Sequence, residues 1–218
     1  MSDPGALLQL SSPALPVGAY SYSQGLERAI EDGDVHDAHS AAVWIGDVLT
    51  LVLGRYEAPL WLRLRAAWDA GDGSRYARWN DEFIATRETR ELRAETLQMG
   101  YSLRRLLCGL GHADPLPGED LCYPAAHAWA SACWTIAPLA ALHGYLYGWA
   151  ENQVMAAIKA LPLGQLAGQR LLLALRTRIA ATVVRAQALG DDALSTQAPL
   201  LALASSRHET QYSRLFRS

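Results

Sequence analysis

The chain has 218 residues, 50% of them apolar and 19% charged, with a formal net charge of −3 at pH 7. That length can bury a substantial core, the composition excludes intrinsic disorder, and the mildly acidic balance speaks against a general nucleic-acid binder, which carries a basic face. Cys108, Cys122 and Cys133 are odd in number and form no CxxC pair, which argues against a disulfide framework or a cysteine zinc site and makes a reducing, cytoplasmic setting the default.

In chain order, MSDPGALLQLSSPALP lacks a basic region followed by a long apolar run, so no secretory signal is expected. In SSPALPVGAYSYSQGLE, Pro13 and Pro16 stiffen an extended approach and Gly18 permits a turn. Ser21 with Gln24 forms a capping box for a following helix. Tyr20 and Tyr22 flank that cap, equally suited to plugging a core or to presenting a contact surface. AAVWIGDVLTLVL reads as a helix entered near Asp37 and closed by Gly54. The His36 to His39 stretch, HDAH, lacks carboxylate or cysteine ligands at a matching distance and reads as a solvated helix entry. Trp61, Leu64, Ala67 and Trp68 share one helical stripe that Pro59 can open.

The run RYARWNDEFIATRETRELRAETLQMGYSLRRLLCGLG reads as one helical pattern stopped by Gly109 and Gly111, with HADPLPGED as a loop. Within it Glu88, Glu91 and Glu95 alternate with Arg87, Arg90 and Arg93. A solvated face laced by i,i+3 and i,i+4 pairs is favoured there over a docking surface. Helices follow in PAAHAWASACW, in the segment opened by Pro138 and in the segment opened by Pro162. The apolar stretch IAPLAALHGYLYGWA falls short of the roughly 20 residues of a membrane span. Gly144 with Gly148, and Gly164 with Gly168, are each spaced i,i+4 and point to close helix approach inside a bundle rather than to a partner. GDDALSTQAP, where Asp191 and Asp192 suit a capping turn, connects to a last short helix, LLALA. Strand signals are scarce, so the fold class is all-α: one domain, 1–218, a bundle of about eight to ten helices.

No Walker A loop, GxGxxG, HExxH or GxSxG is present, and no catalytic constellation emerges. The last residues, RHETQYSRLFRS, combine Arg207, Arg214 and Arg217 with Tyr212, Leu215 and Phe216, unusual in a region where fraying is the norm. Lys159 is the only lysine, near a helix end where positive charge is favourable. Two other classes compete with a scaffold. A helical-bundle enzyme, a lyase or transferase with the tail as a lid, would need a second acidic or histidine cluster. A helical transcription regulator would need a basic recognition helix, and the glutamates of ETRELRAETLQMGYSLRR spoil it.

Four stretches taken in register, LLQLSSPALPVGAYSYSQGLE, RETRELRAETLQMG, ENQVMAAIKALPLGQ and ASSRHETQYSRLFRS, resemble the UreF family of urease accessory proteins over essentially the whole chain. The resemblance implies an all-α, homodimeric, non-catalytic protein that binds the UreD (UreH) accessory protein and the GTPase UreG and docks on apo-urease. No cofactor is implied for the chain itself, nickel being handled by the complex, and neither nucleic acid nor membrane is a partner. On that basis Tyr20, Tyr22, Arg207, His208, Glu209, Tyr212, Arg214, Leu215 and Phe216 are candidates for the UreD/UreH side, and Lys159, Glu151 and Gln153 for the GTPase side. Residues 205–218 are expected to be loose when free and to order on the UreD-like partner, with Arg214 meeting Tyr20 in the complex.

Overall fold

The computed structural model describes residues 3–218, and among them every regular element is helical. Asp3 caps α1 (Pro4–Leu10) by accepting the Gly5 N–H, with Pro4 fitting the first turn, where no donor is needed. A single 3₁₀ turn (Ala19–Ser21) precedes α2 (Leu26–Glu31). Asp37 opens α3 (Ala38–Asp47) with a reciprocal capping box to Ser40, a device worth about 1 kcal/mol. Those bonds hold the Asp37 carboxyl below its usual range, so the HDAH stretch is a helix entry.

Gly54 does not close the helix that α3 begins. The chain runs on through a π-helical stretch (Val48–Glu57) directly into α4 (Ala58–Asp69). Pro59 explains the change of winding, because its ring would clash with the carbonyl of a tight α-turn and it offers no N–H. The wider turn removes that conflict, and the Ala58 N–H donates to Leu53 O, five residues back. Gly54 serves packing instead: a methyl there would sit 3.1 Å from Thr182 Cγ2 of α9 (Gln165–Ala188).

The expected single helix of residues 75–111 is two: α5 (Gly73–Ala85) and α6 (Arg90–Gly109). Thr89 breaks the run because its hydroxyl accepts the Leu92 N–H and starts a new helix. Both helices present apolar residues to the same core, so the apolar pattern continues across the break. Then come α7 (Tyr123–Cys133), α8 (Pro138–Ala160), α9, and α10 (Pro199–His208). The last helix is longer than LLALA and takes in Arg207 and His208.

Helix α4 lies at the centre, packed on α5, α7, α8 and α9, with Trp61 and Leu64 fully buried in the same core as Trp129 of α7 and Leu103 and Leu107 of α6. Arg65 is buried among them, donating to Asp69 Oδ1 (2.9 Å), Ser131 Oγ (2.9 Å) and the Ile136 carbonyl (2.9 Å). Arg63 ties the 3₁₀ turn at Asp191–Ala193 to α4 by donating to Asp191 Oδ1 at 2.6 Å. Gly144 and Gly168 work within the bundle, since a methyl on either would overlap Ser11 or Ile158. Gly164 does not pair with Gly168 on a helix face, because it stands ahead of α9 in extended conformation. No helix of the described residues is long and apolar enough to cross a membrane.

Candidate protein-interaction site

The C-terminal segment lies on its own chain, in a seat built by the 21–27 stretch and α6. The seat begins with an unusual backbone. Gln24 has φ 52 and Gly25 φ 81, a left-handed pair that only glycine adopts freely. Gly25 leaves room for α10, where Ala204 Cβ would stand 3.3 Å from an added methyl. Gln24 is held by its side chain, which donates to Glu95 Oε1 (2.6 Å) and accepts from Trp149 Nε1 (2.7 Å). The Ser21–Gln24 capping box is therefore not formed; α2 starts behind Gly25 without a side-chain cap.

This turn aims two backbone donors at the end of the chain, so that the Ser23 and Gln24 N–H groups donate to Ser218 O at 2.9 and 3.0 Å. Arg217 N–H donates to Ser21 O at 2.8 Å. The Glu27 carboxylate accepts the N–H groups of Leu215 (2.6 Å) and Phe216 (3.0 Å), and Ser218 Oγ donates to Glu95 Oε2 (2.7 Å). His208, fully buried, stands between two carboxylates, with Nδ1 2.6 Å from Glu91 Oε2 and Nε2 3.3 Å from Glu27 Oε2. Arg214 donates to Glu91 Oε1 at 2.6 Å, and Glu209 Oε1 accepts the Glu91 N–H at 3.2 Å.

Several expectations change here. The 87–95 face is only partly solvated: Glu88, Arg90 and Arg93 are exposed, but Glu95 is buried and Glu91 receives His208 and Arg214. Residues 205–218 lie against the chain itself, where Glu27, Glu91 and Glu95 supply acceptors that polar groups of a loose tail would otherwise find in water. In the chain by itself Arg214 meets Glu91; its meeting with Tyr20 is an expectation about the complex. Tyr22 is a buried plug whose backbone carbonyl accepts from Asn152, and Gln153 is buried too, so neither presents a contact surface. Lys159 stands at the tail, its Nζ 5.8 Å from the Phe216 ring centroid and 6.0 Å from that of Tyr20. Phe216 turns inward, whereas Tyr20, Tyr212 and Leu215 are exposed, and Arg207 reaches Asp32 at 3.4 Å.

Beneath the seat lies a cavity of about 320 Å³, lined among others by Glu57, Arg87, Glu95, His127, Tyr145 and Lys159. Burial raises the Glu57 carboxyl, which Arg87 (3.8 Å) and the Tyr145 hydroxyl partly offset. Burial lifts Glu95 to about 7 and depresses His127 to about 3, so that His127 is neutral and its Nδ1 accepts from Trp61 Nε1 at 3.3 Å. Glu151, on the cavity wall, is raised by partial burial. No group of three or more His, Cys, Asp or Glu residues that could hold a metal ion occurs among the described residues. Sequence reasoning missed Ser23 and Glu27 altogether and gave Gln24 only as part of a helix cap. Glu91 and Glu95 did carry a signal, since like charges four apart on a helix repel unless partners arrive from elsewhere.

The fold and the site define an all-α, single-domain helical bundle with its C-terminal segment seated on α2 and α6 beside a largely apolar cavity. The UreF family model matches residues 35–176, and the chain belongs to that family. It is 56% identical over 220 residues to the urease accessory protein UreF of Azoarcus sp. (strain BH72), covering 97% of this chain and 94% of the relative. The UreF protein of Dechloromonas aromatica (strain RCB) is 50% identical, with 97% and 96% covered. A bifunctional urease accessory protein UreEF from Bordetella bronchiseptica is 52% identical over 98% of this chain and 51% of the relative.

Proposed function

We propose that this protein acts in urease maturation as a non-catalytic scaffold, a homodimer bridging a UreD/UreH-like accessory protein and a UreG-like GTPase for GTP-dependent nickel insertion into apo-urease. The observation that carries the reading is end-to-end similarity to proteins named as urease accessory proteins, 56% identical across 97% of the chain. The fused UreEF relative adds support, because it joins a chain of this kind to a second urease accessory protein. Nickel is cargo of the assembly in this reading.

The exposed edge of the C-terminal segment is the contact surface for the UreD/UreH-like partner. Tyr212 is fully exposed and Leu215 is 70% exposed, while the neighbouring backbone is fixed by Glu27 and Ser21. Tyr20 and Lys159 extend the same edge, so Lys159 and Glu151 belong with this face rather than with a separate GTPase-facing one. Co-purification with the UreD/UreH-like and UreG-like proteins of the same organism tests the assignment. A Tyr212→Ser, Leu215→Ser double variant keeps the buried contacts and is expected to lose the UreD/UreH-like partner while retaining its circular dichroism. Undiminished recovery by that variant would overturn the surface; failure of the unaltered protein to recover either partner would overturn the bridging role.

A further inference from the structure

The cavity of about 320 Å³ is walled by the 10–24 stretch, α5, α6, α7 and α8, and no residue of 199–218 lines it, so it stands apart from the C-terminal segment. Helix α8 presents two glycines to it, and a glycine inside a helix weakens that helix relative to alanine. At Gly144 packing explains the choice, since an added methyl would overlap the Ser11 hydroxyl. At Gly148 no packing does: the nearest atom to an added methyl is Ser11 O at 3.8 Å, an ordinary contact. What Gly148 keeps is open space. Beside it lies a polar corner. Tyr145, one turn earlier on α8, has its ring 4.8 Å from that of His127 and 5.5 Å from that of Tyr123. Its hydroxyl donates to Glu57, which stands 3.8 Å from Arg87. Several donors of this lining have no acceptor. Arg87 Nε and Ser11 Oγ are buried without a partner among the described residues. The His127 ring is neutral and its Nδ1 accepts from Trp61, so its proton sits on Nε2. Neither that N–H nor the Tyr123 hydroxyl has a hydrogen-bond partner among the described residues.

We propose that this cavity binds a small, neutral, planar carboxamide carrying an apolar ring. The ring lies on the open face at Gly148, beside Tyr123 and Tyr145, where aromatic edges and faces attract. The carbonyl oxygen accepts from the donors of the polar corner, and the N–H₂ turns to Glu57. The size is that of a pocket for a small organic molecule, at the lower end of the range of about 300 to 1,000 Å³. The class of head group follows from what the lining lacks. Buried donors without acceptors are costly, so the ligand brings an acceptor. A carboxylate would face Glu57 and Glu95, two carboxyls that burial already pushes toward the neutral form. An ammonium has no lone pair for the donors and would stand against the Arg87 guanidinium. Glu151 and Lys159, further along α8, add one charge of each sign and favour neither. A carboxamide alone carries acceptor and donors without charge. The site belongs to this chain by itself and does not rest on its role in urease maturation.

Benzamide is the probe, titrated into the full chain and followed by the ¹H–¹⁵N shifts of the Tyr123, His127 and Gly148 amides. Saturable binding is expected, with a Kd on the order of 1 mM for a ligand of about nine non-hydrogen atoms. Benzoate and benzylamine have the same shape with a charged head, and each is expected to bind at least about tenfold more weakly. Tyr123→Phe removes a hydroxyl that has no partner in the fold, so thermal unfolding should be unchanged while benzamide binds about fivefold more weakly. Gly148→Met fills the space and is expected to abolish the shifts at an equal or higher melting temperature. Absence of saturation by about 10 mM benzamide would overturn the site. Equal or tighter binding of benzoate or benzylamine would overturn the ligand class. Unchanged benzamide affinity in either variant that folds would put the probe elsewhere on the protein and overturn the assignment. Should Gly148→Met fail to fold, Tyr123→Phe and the charged analogues still decide.

Discussion

Replacing Glu95 by Gln keeps the shape of the side chain and removes its titration. The amide oxygen can still accept from Gln24 Nε2, and its N–H₂ can donate to Ser218 Oγ, reproducing the pattern of a protonated carboxyl. In the native protein burial raises this carboxyl from 4.5 to about 7, outweighing the two donors that favour its charged form. A folded-state value above the unfolded one means that the folded protein binds the extra proton. The stabilisation is full below about 4.5 and is lost as pH rises through about 7. At about 1.4 kcal/mol per unit, a shift of that size is worth about 3 kcal/mol. Between about pH 5 and about pH 8 the unaltered protein is therefore expected to lose about 2.5 kcal/mol relative to Glu95→Gln, read by urea unfolding at both pH values. The variant should overtake the unaltered protein at the higher pH. A stability difference that stays constant with pH would refute the claim that Glu95 is held in a dry seat.

Gly100→Ala is expected to cost about 3 kcal/mol, because the new methyl would overlap the Leu121 carbonyl oxygen and stand 2.9 Å from Cys122 C; thermal unfolding measures it. Arg65→Ala strips donors from the buried Ile136 carbonyl and Ser131 hydroxyl, and is expected to cost about 3 kcal/mol by denaturant unfolding.

The helices are largely readable from periodicity, capping residues and prolines: Asp37, Pro124 and Pro138 all stand within a residue or two of where a helix begins. Two boundaries are not readable. Glycine normally argues for a stop, but Gly54 sits inside a continuous helix because α9 needs the space of a side chain there. The Thr86–Thr89 break is hidden because α5 and α6 turn to one core. The apolar and basic character of the last residues is plain in the sequence, but their receptors are not. Glu27 lies 188 residues before Leu215 and Glu91 lies 123 before Arg214, separations at which no local pattern links donor to acceptor. Glutamates alternating with arginines look like an ordinary wet helix face until α10 is laid across them.

The alternation along the last residues, with Phe216 inward and Leu215 outward, has a consequence for how fast and how tightly anything docks there. Freezing one residue's backbone costs about 1–2 kcal/mol, so a floppy ten-residue segment would hand its binder a debt on the order of 10 kcal/mol or more. Here that entropy is already spent inside the folded chain. A partner docking on the outer edge as proposed would meet a preformed template, so its binding would be a collision between preformed shapes rather than a search among conformations.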